Sequence, residues 1–384
     1  MAKAIGGAQL VSAAQPAART LRAVWILRVT LGTIITLSAL VFILGTSWDI
    51  QWHTLIGRDR TLIPPHIMML TGVALSGLAA LLGVLVETVW ARHSPVVVET
   101  STGFAGIFRS SLGAYIAGYA ALMAALAFSM DSYWHALYGI DVEVIAPFHV
   151  MFLLAMGLVA LGAAYMQSSA ATLATRNGDT GGARAASLGG LLALGVMMCI
   201  FMLLADFTGE MLTIFTAIVL LAFVSAWALF AAVRAVEWRW AATCVGVVYG
   251  LFALLMQVFV PPATDALVAI EHLSFRKADA PFSLMAFQWP LGAILAAILF
   301  DIIREVARRR NWSARRLIVV AVVLIGILSS PFFALAIWLR DEGGTISPLY
   351  LLLFLALSLL GIPGAYIGSR LGRNMGASMR VLER

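Results

Sequence analysis

The stretch SWDIQWHTLIGRDRTLIPPHIMML, from Ser47 to Leu70, is the part of this 384-residue chain on which its organisation depends. About eighty residues further on, from Ser129 to Leu153, the chain repeats it as SMDSYWHALYGIDVEVIAPFHVMFL. Both copies contain the pattern D-x-x-W-H-x-L-x-G-x-D, followed seven or eight residues later by a histidine. Because chance rarely reproduces a Trp, a Gly, two Asp and two His in one order, the pattern indicates an internal duplication.

The composition of the rest of the chain is that of a membrane protein. The sequence is 62% hydrophobic and 11% charged, whereas an ordinary soluble domain carries about 25% charged residues. Runs of about twenty apolar residues are long enough for a helix to cross a bilayer. The predicted fold class is therefore all-α, a polytopic integral membrane protein of about ten transmembrane helices with internally repeated helical hairpins. The predicted spans are 23–46, 64–90, 110–130, 146–167, 185–205, 210–233, 240–261, 281–303, 315–339 and 347–369.

The distribution of basic residues predicts the orientation in the membrane. Twenty of the 25 Lys and Arg residues fall in one alternate set of connecting segments, which includes both termini. Because cytoplasmic segments retain basic residues, we expect both termini to be cytoplasmic. The two motif copies should then face the extracytoplasmic side of the inner (cytoplasmic) membrane. This topology signal explains the net charge of +6, so membrane lipid is an expected partner and nucleic acid is not.

The chain divides into four parts on this interpretation. Residues 1–22 are predicted to be a flexible cytoplasmic tail, and residues 23–170 to form the duplicated helix–loop–helix hairpins that carry the Asp/His motifs. Residues 171–310 supply four further spans, which could be degenerate repeats. Residues 311–384 form a C-terminal two-span hairpin and a cytoplasmic tail.

Each motif copy supplies one carboxylate and two imidazoles to one neighbourhood. Asp49 and His53 are four residues apart, so they lie one turn apart on one face of a helix end. His66 falls in the first turn of the next helix, which begins at a favoured Pro64. We therefore predict a metal site in each hairpin. The equivalent residues of the second copy are Asp131, His135 and His149.

This donor set is typical of a divalent transition metal. Imidazole suits copper, zinc, iron and nickel, so donor type alone does not choose the metal. Three protein ligands leave coordination positions open for water, oxygen or substrate. The neighbouring Asp59 and Asp141 could orient ligating imidazoles, and Trp52 and Trp134 could shield the sites or anchor the helices. The alternative is structural, because Asp and His at helix ends often cap the helix or hydrogen-bond each other.

The spacing Asp49-x3-His53-x12-His66 resembles the metal motif of the C subunit of copper membrane monooxygenases, the particulate methane and ammonia monooxygenase family. In that family an Asp and two His bind copper in a helical membrane subunit beside the oxidation site, and the subunit works with two others. The resemblance covers about twenty residues per copy, and the second copy has one extra residue before its last His. It implies copper as the cofactor, while the donor set keeps zinc and iron as alternatives. It also implies other membrane or periplasmic subunits as partners.

Three functions remain open at this point, and the sequence leaves open whether the chain is an enzyme. The first is a copper-dependent, monooxygenase-like oxidoreductase or a subunit of a membrane oxidoreductase complex. The second is a copper-handling or assembly protein. The third is a non-catalytic membrane subunit whose hairpins dock a periplasmic partner. The sequence identifies neither a substrate nor catalytic residues beyond the metal ligands.

Overall fold

A computed structural model describes most of the chain. The residues described are 2–57, 60, 62–138, 146–276, 283, 290–329, 352, 356–381 and 383, without the side chains of 2–16, 209–211, 214 and 290. The elements, renumbered here in chain order, are α1 (Ala2–Leu55), α2 (Pro64–Ala91), α3 (Pro95–Glu99), β1 (Thr102–Phe104), β2 (Phe108–Ser110), α4 (Leu112–Tyr138), α5 (Pro147–Arg176), α6 (Thr180–Leu212), α7 (Ile214–Ala235), α8 (Ala241–Ile270), α9 (Pro290–Arg309), α10 (Ala314–Leu328) and α11 (Gly361–Val381).

Seven of the described helices are long and apolar enough to cross a bilayer, namely α1, α2 and α4 to α8. The chain is therefore a membrane-embedded helical protein. Helix α10 has 15 residues, about 22 Å of helix, which is short of a bilayer core of about 30 Å. The remainder of its predicted span, and much of the span predicted over 347–369, lie outside the described residues. The count of ten spans, the side of both termini and the flexibility of residues 1–22 stay predictions.

The helices that carry the motif copies run further than the apolar runs alone predict. Helix α1 continues to Leu55 and α4 to Tyr138, whereas the predicted spans end at 46 and 130. Nothing in the intervening sequence breaks a helix until Gly57, whose φ of 69° lies in the left-handed region that favours glycine. The Asp and first His of each copy therefore stand on the last turns of a helix.

The four helices α1, α2, α4 and α5 pack into one bundle. Helix α1 packs against α2 and α5, and α4 packs against the same two helices. Small residues allow close approach, because a Cβ placed on Gly162 of α5 would lie 2.6 Å from the backbone nitrogen of Ala117 and 2.7 Å from the carbonyl oxygen of Gly113. Since both hairpins are antiparallel, the ends of α1 and α4 meet the starts of α2 and α5 at one end of the bundle.

Helix α11 packs on α7 along a row of glycines spaced four residues apart. A Cβ at these positions would lie only 2.1–2.5 Å from carbonyl oxygens of α7, so the row permits the backbone contact that small residues give membrane helices. The sequence predicts that the last span ends at residue 369 and that a tail follows. In the structure the helix continues to Val381. The glycines are Gly364, Gly368, Gly372 and Gly376.

Within the described residues, the structure departs from the all-α prediction in a small antiparallel β-hairpin between α2 and α4. Strand β1 pairs with β2 in the register Thr102 to Ser110. Its turn residues Ala105 and Gly106 have φ of 51° and 71°, and the N–H of Ile107 donates to the carbonyl oxygen of Phe104 at 3.2 Å, as in a type I′ turn. An Ala-Gly pair is a weaker signal for this turn than Asn-Gly, which is why the sequence did not predict the hairpin.

Candidate metal centre

The first Asp-His-His group lies where α1 ends and α2 begins. Asp49 and His53 occupy successive turns of α1, and His66 stands in the first turn of α2, which starts at Pro64. Asp49 Oδ1 lies 3.4 Å from His53 Nε2 and 3.0 Å from His66 Nε2. The two imidazole centroids are 6.0 Å apart. One ligand atom from each of the three side chains therefore lies within 4.8 Å of the other two.

The second group repeats this arrangement where α4 ends and α5 begins. Asp131 Oδ2 lies 3.4 Å from His135 Nε2, and Asp131 Oδ1 lies 3.3 Å from His149 Nε2. The imidazole centroids are 6.3 Å apart, and the three ligand atoms again lie within 4.8 Å of one another. Here the carboxylate faces the two imidazoles with its two oxygens, whereas Asp49 faces both with one.

The distances between the Asp oxygens and the His Nε2 atoms match those between two ligand atoms bound to one metal ion. Ligand atoms bound about 2.0–2.1 Å from a metal, at angles of about 90–109°, are about 2.9–3.4 Å apart. The four Asp–His separations, from 3.0 to 3.4 Å, fall in this interval. Oδ1 of Asp49 and Oδ1 of Asp131 are buried, and both face imidazole nitrogens. A cation between carboxylate and imidazoles would satisfy such an oxygen, so the residues fit a metal ion.

The two groups differ in their surroundings. His66 is 13% exposed, whereas its counterpart His149 is 32% exposed. Trp52, beside the first group, is 2% exposed and belongs to the hydrophobic core. Trp134, beside the second, is half-buried and packs against Tyr138, with ring centroids 4.4 Å apart. The first group is thus embedded in the protein, and the second is more open to its surroundings.

The segment that follows α8 contacts the end of α1 next to the first group. The backbone N–H of Arg276 donates a hydrogen bond to the carbonyl oxygen of Leu55 at 2.8 Å, and Arg60 pairs with Glu271. Trp48, one residue before Asp49, packs edge-on against Phe259 of α8 at 5.7 Å. The first group is therefore held from outside its own hairpin, which the sequence could not indicate.

An aromatic side chain joins the two hairpins. Phe128 of α4, three residues before Asp131, packs edge-on against His66, with ring centroids 6.4 Å apart. The same ring lies 6.2 Å from Phe152 of α5. A residue of the second hairpin therefore supports a candidate ligand of the first, and only the packing of α2 on α4 brings the two together. Sequence reasoning missed this residue because no spacing rule relates positions on different hairpins.

Some predicted residues cannot be placed. Asp59 and Asp141, the candidate partners of ligating imidazoles, lie outside the described residues. That residues 171–310 are degenerate repeats stays a prediction. The acidic residue Asp206 of that region lies buried within α6.

The chain matches no protein-family profile, no curated protein and no solved structure. Fold and site together therefore define a class: a helical membrane protein with two candidate Asp-His-His metal sites. The resemblance to copper membrane monooxygenases rests on the motif and its spacing.

Proposed function

We propose that this chain binds copper at both Asp-His-His sites and serves as a membrane oxidoreductase or as a subunit of one. The observation that carries the proposal is that both hairpins place Asp oxygens 3.0–3.4 Å from two His Nε2 atoms, as two ligands of one metal ion would be. Copper is favoured over zinc and iron by the resemblance of the motif, since imidazole donors accommodate all three. The proposal places the chain in the inner membrane, with the sites on the extracytoplasmic side and with further membrane or periplasmic subunits as partners.

In this proposal the ligands of each site come from both helices of a hairpin. Asp49 contacts His53 on its own helix and His66 on the next one, so the ligand set is complete only when the hairpin is closed. Copper held there would supply one-electron redox chemistry and reactivity with oxygen. Three protein ligands leave room for a further molecule on the open side. Trp52 and the core around it exclude water from the protein side of the first site.

A second candidate function, delivery of copper to another membrane enzyme, is favoured by the openness of the second site. The 32% exposure of His149 gives a competing ligand direct access to one of the three donors. A site that exchanges copper in this way needs no substrate pocket. The two functions agree on the ligands and differ in what the bound metal does.

The experiment that tests both is metal analysis of the full chain, purified in mild detergent without chelator. We expect about two copper ions per chain, one for each three-ligand site. His53→Ala and His135→Ala should each remove about one ion, and the double variant should remove both. His93→Ala is the matched control, because His93 is exposed and lies near the opposite end of α2. Copper absent from the wild type, or a content unchanged in both variants, would leave the docking-subunit function in its place.

Spectroscopy then separates the two copper functions. Electron paramagnetic resonance of single-site variants should report a Cu(II) centre with nitrogen ligands. A signal that disappears on reduction and returns with oxygen, with turnover, supports the oxidoreductase. A metal that passes to an acceptor chelator within the time of purification, without oxygen consumption, supports copper handling.

A further inference from the structure

A second polar centre lies at the end of the bundle opposite the metal sites. The carboxylate of Glu383, which follows α11, is 5% exposed and is surrounded by donors from four separate segments. Its Oε2 accepts from Arg28 Nη1 at 3.0 Å and from Ser169 Oγ at 2.7 Å. Its Oε1 accepts from Thr102 Oγ1 at 3.1 Å and from the backbone N–H of Leu112 at the start of α4. These four convergent donors form a binding site for a carboxylate group.

Arg28 is the fixed part of this site. It is fully buried, and its fork binds both oxygens of Glu87 at 2.8 and 2.6 Å. It also donates to the carbonyl oxygen of Thr100 at 2.8 Å and to Ser169 at 2.5 Å. Together with the bond to Glu383, these contacts use all five N–H donors that a guanidinium has. Because Glu87 holds one side of the fork, the other side stays directed at a second carboxylate.

The backbone at Glu383 is bent to reach this site. Its φ is 63°, a left-handed conformation that few residues other than glycine adopt. Helix α11 otherwise packs mainly on α7 through its glycines. A hydrogen-bonding contact with the bundle comes from Ser378, whose Oγ lies 2.7 Å from Tyr165 Oη. The hydrogen bonds that the Glu383 carboxylate accepts therefore hold its backbone in this strained conformation.

We propose that Arg28, Ser169, Thr102 and the Leu112 amide form a carboxylate-binding site, which the chain fills with its own Glu383 as a releasable latch. The latch fastens α11 to helices α1 and α5 and to the start of α4. When Glu383 withdraws, buried donors lose their acceptor, and the site takes up another small carboxylate. The inference does not depend on metal binding, because the contacts involve neither triad.

The test is chemical rescue in the full-length protein, followed by hydrogen exchange. Glu383→Ala removes the carboxylate and leaves its donors in place. We expect amide exchange in residues 97–112 and 371–381 to become about tenfold faster, as loss of a charged hydrogen-bond partner implies. Sodium propionate should slow exchange in the variant back toward the wild-type rate, whereas sodium chloride at equal concentration should not. The wild type, whose site is filled, should respond to neither salt.

A matched control is an exposed ion pair made by the same helix, α11. Glu237 pairs with Arg380 of α11 but is 75% exposed, so Glu237→Gln removes a surface ion pair and should leave exchange unchanged. Unchanged exchange in Glu383→Ala would overturn the latch. Faster exchange that propionate does not reverse would overturn the carboxylate site, because the donors would then bind a carboxylate only when it is attached to the chain. Arg28→Gln serves as a further variant where it folds, and it should abolish the response to propionate in the Glu383→Ala background.

Discussion

Substituting Gly72 by Ala should weaken the metal binding proposed for the first Asp-His-His group while leaving that of the second intact. A Cβ at Gly72 of α2 would lie 2.6 Å from the carbonyl oxygen of Ser38 on α1. A carbon–oxygen contact needs about 3.3 Å, so the two helices must separate by about 0.7 Å. The 3.0 Å contact between Asp49 and His66 joins the same two helices. The separation would therefore lengthen it beyond the range that two ligands of one metal can span.

The expected magnitude follows from the tolerance of metal sites. Ligand distances are held to about ±0.2 Å, so a shift of about 0.7 Å displaces His66 from the coordination shell. Disturbing the support of a ligand costs about tenfold to hundredfold in metal affinity. His53 stays in place, because it lies on the same helix as Asp49. Overpacking of this kind costs about 1–3 kcal/mol in stability, which a membrane helix bundle of this size should tolerate.

The assay is a copper titration against a chelator of known affinity. It is performed in the His135→Ala background, where only the first site binds, and in the His53→Ala background for the second. Gly77→Ala on the same helix is the matched control, since its Cβ would meet an ordinary contact at 3.4 Å. The mirror variant is Gly162→Ala, which should weaken the second site alone. Equal affinities in Gly72→Ala and Gly77→Ala, or equal loss at both sites, would refute the reasoning.

Three further outcomes are expected. A chelator should strip the second site before the first, because His149 is 32% exposed and His66 only 13%; single-site variants followed by absorbance resolve the order, and equal rates would contradict it. Phe128→Ala should weaken the first site several-fold although it lies on the second hairpin, because its ring packs on His66; the titration above measures this, and an effect confined to the second site would argue against it. Gly368→Ala should lower stability by about 1–3 kcal/mol, because its Cβ would lie 2.2 Å from the carbonyl oxygen of Phe223; an unchanged melting temperature would show that α11 does not pack there.

The parts of the fold that could be predicted are those that local chemistry determines. The apolar runs place the helices of both hairpins, and Pro64 and Pro147 mark the starts of α2 and α5. The spacing of Asp and His places both triads, because four residues make one helical turn. The ends of α1 and α4 were predicted too early, since a helix continues past its apolar run until a residue such as Gly57 breaks it.

The remaining features depend on contacts between distant parts of the chain. Phe128 reaches His66 only because α4 packs on α2. Glu383 reaches Arg28 across 355 positions of sequence, and no periodicity relates the two. The segment after α8 likewise reaches the end of α1 only in the folded chain, where the N–H of Arg276 donates to the carbonyl oxygen of Leu55. Such features follow from the assembled bundle and not from any one stretch.

The length of the unbroken helices in the bundle can be compared with the thickness of a bilayer. About 32 Å of helix separates the metal-site end from the latch end, close to the thickness of a typical hydrocarbon core. Both polar centres can therefore lie at the membrane boundaries at the same time in a bilayer of about that thickness. A markedly thicker bilayer would draw one of them into hydrocarbon, which costs free energy. The intervals that set the length are 21 residues from Arg28 to Asp49, 21 from His66 to Glu87 and 20 from His149 to Ser169.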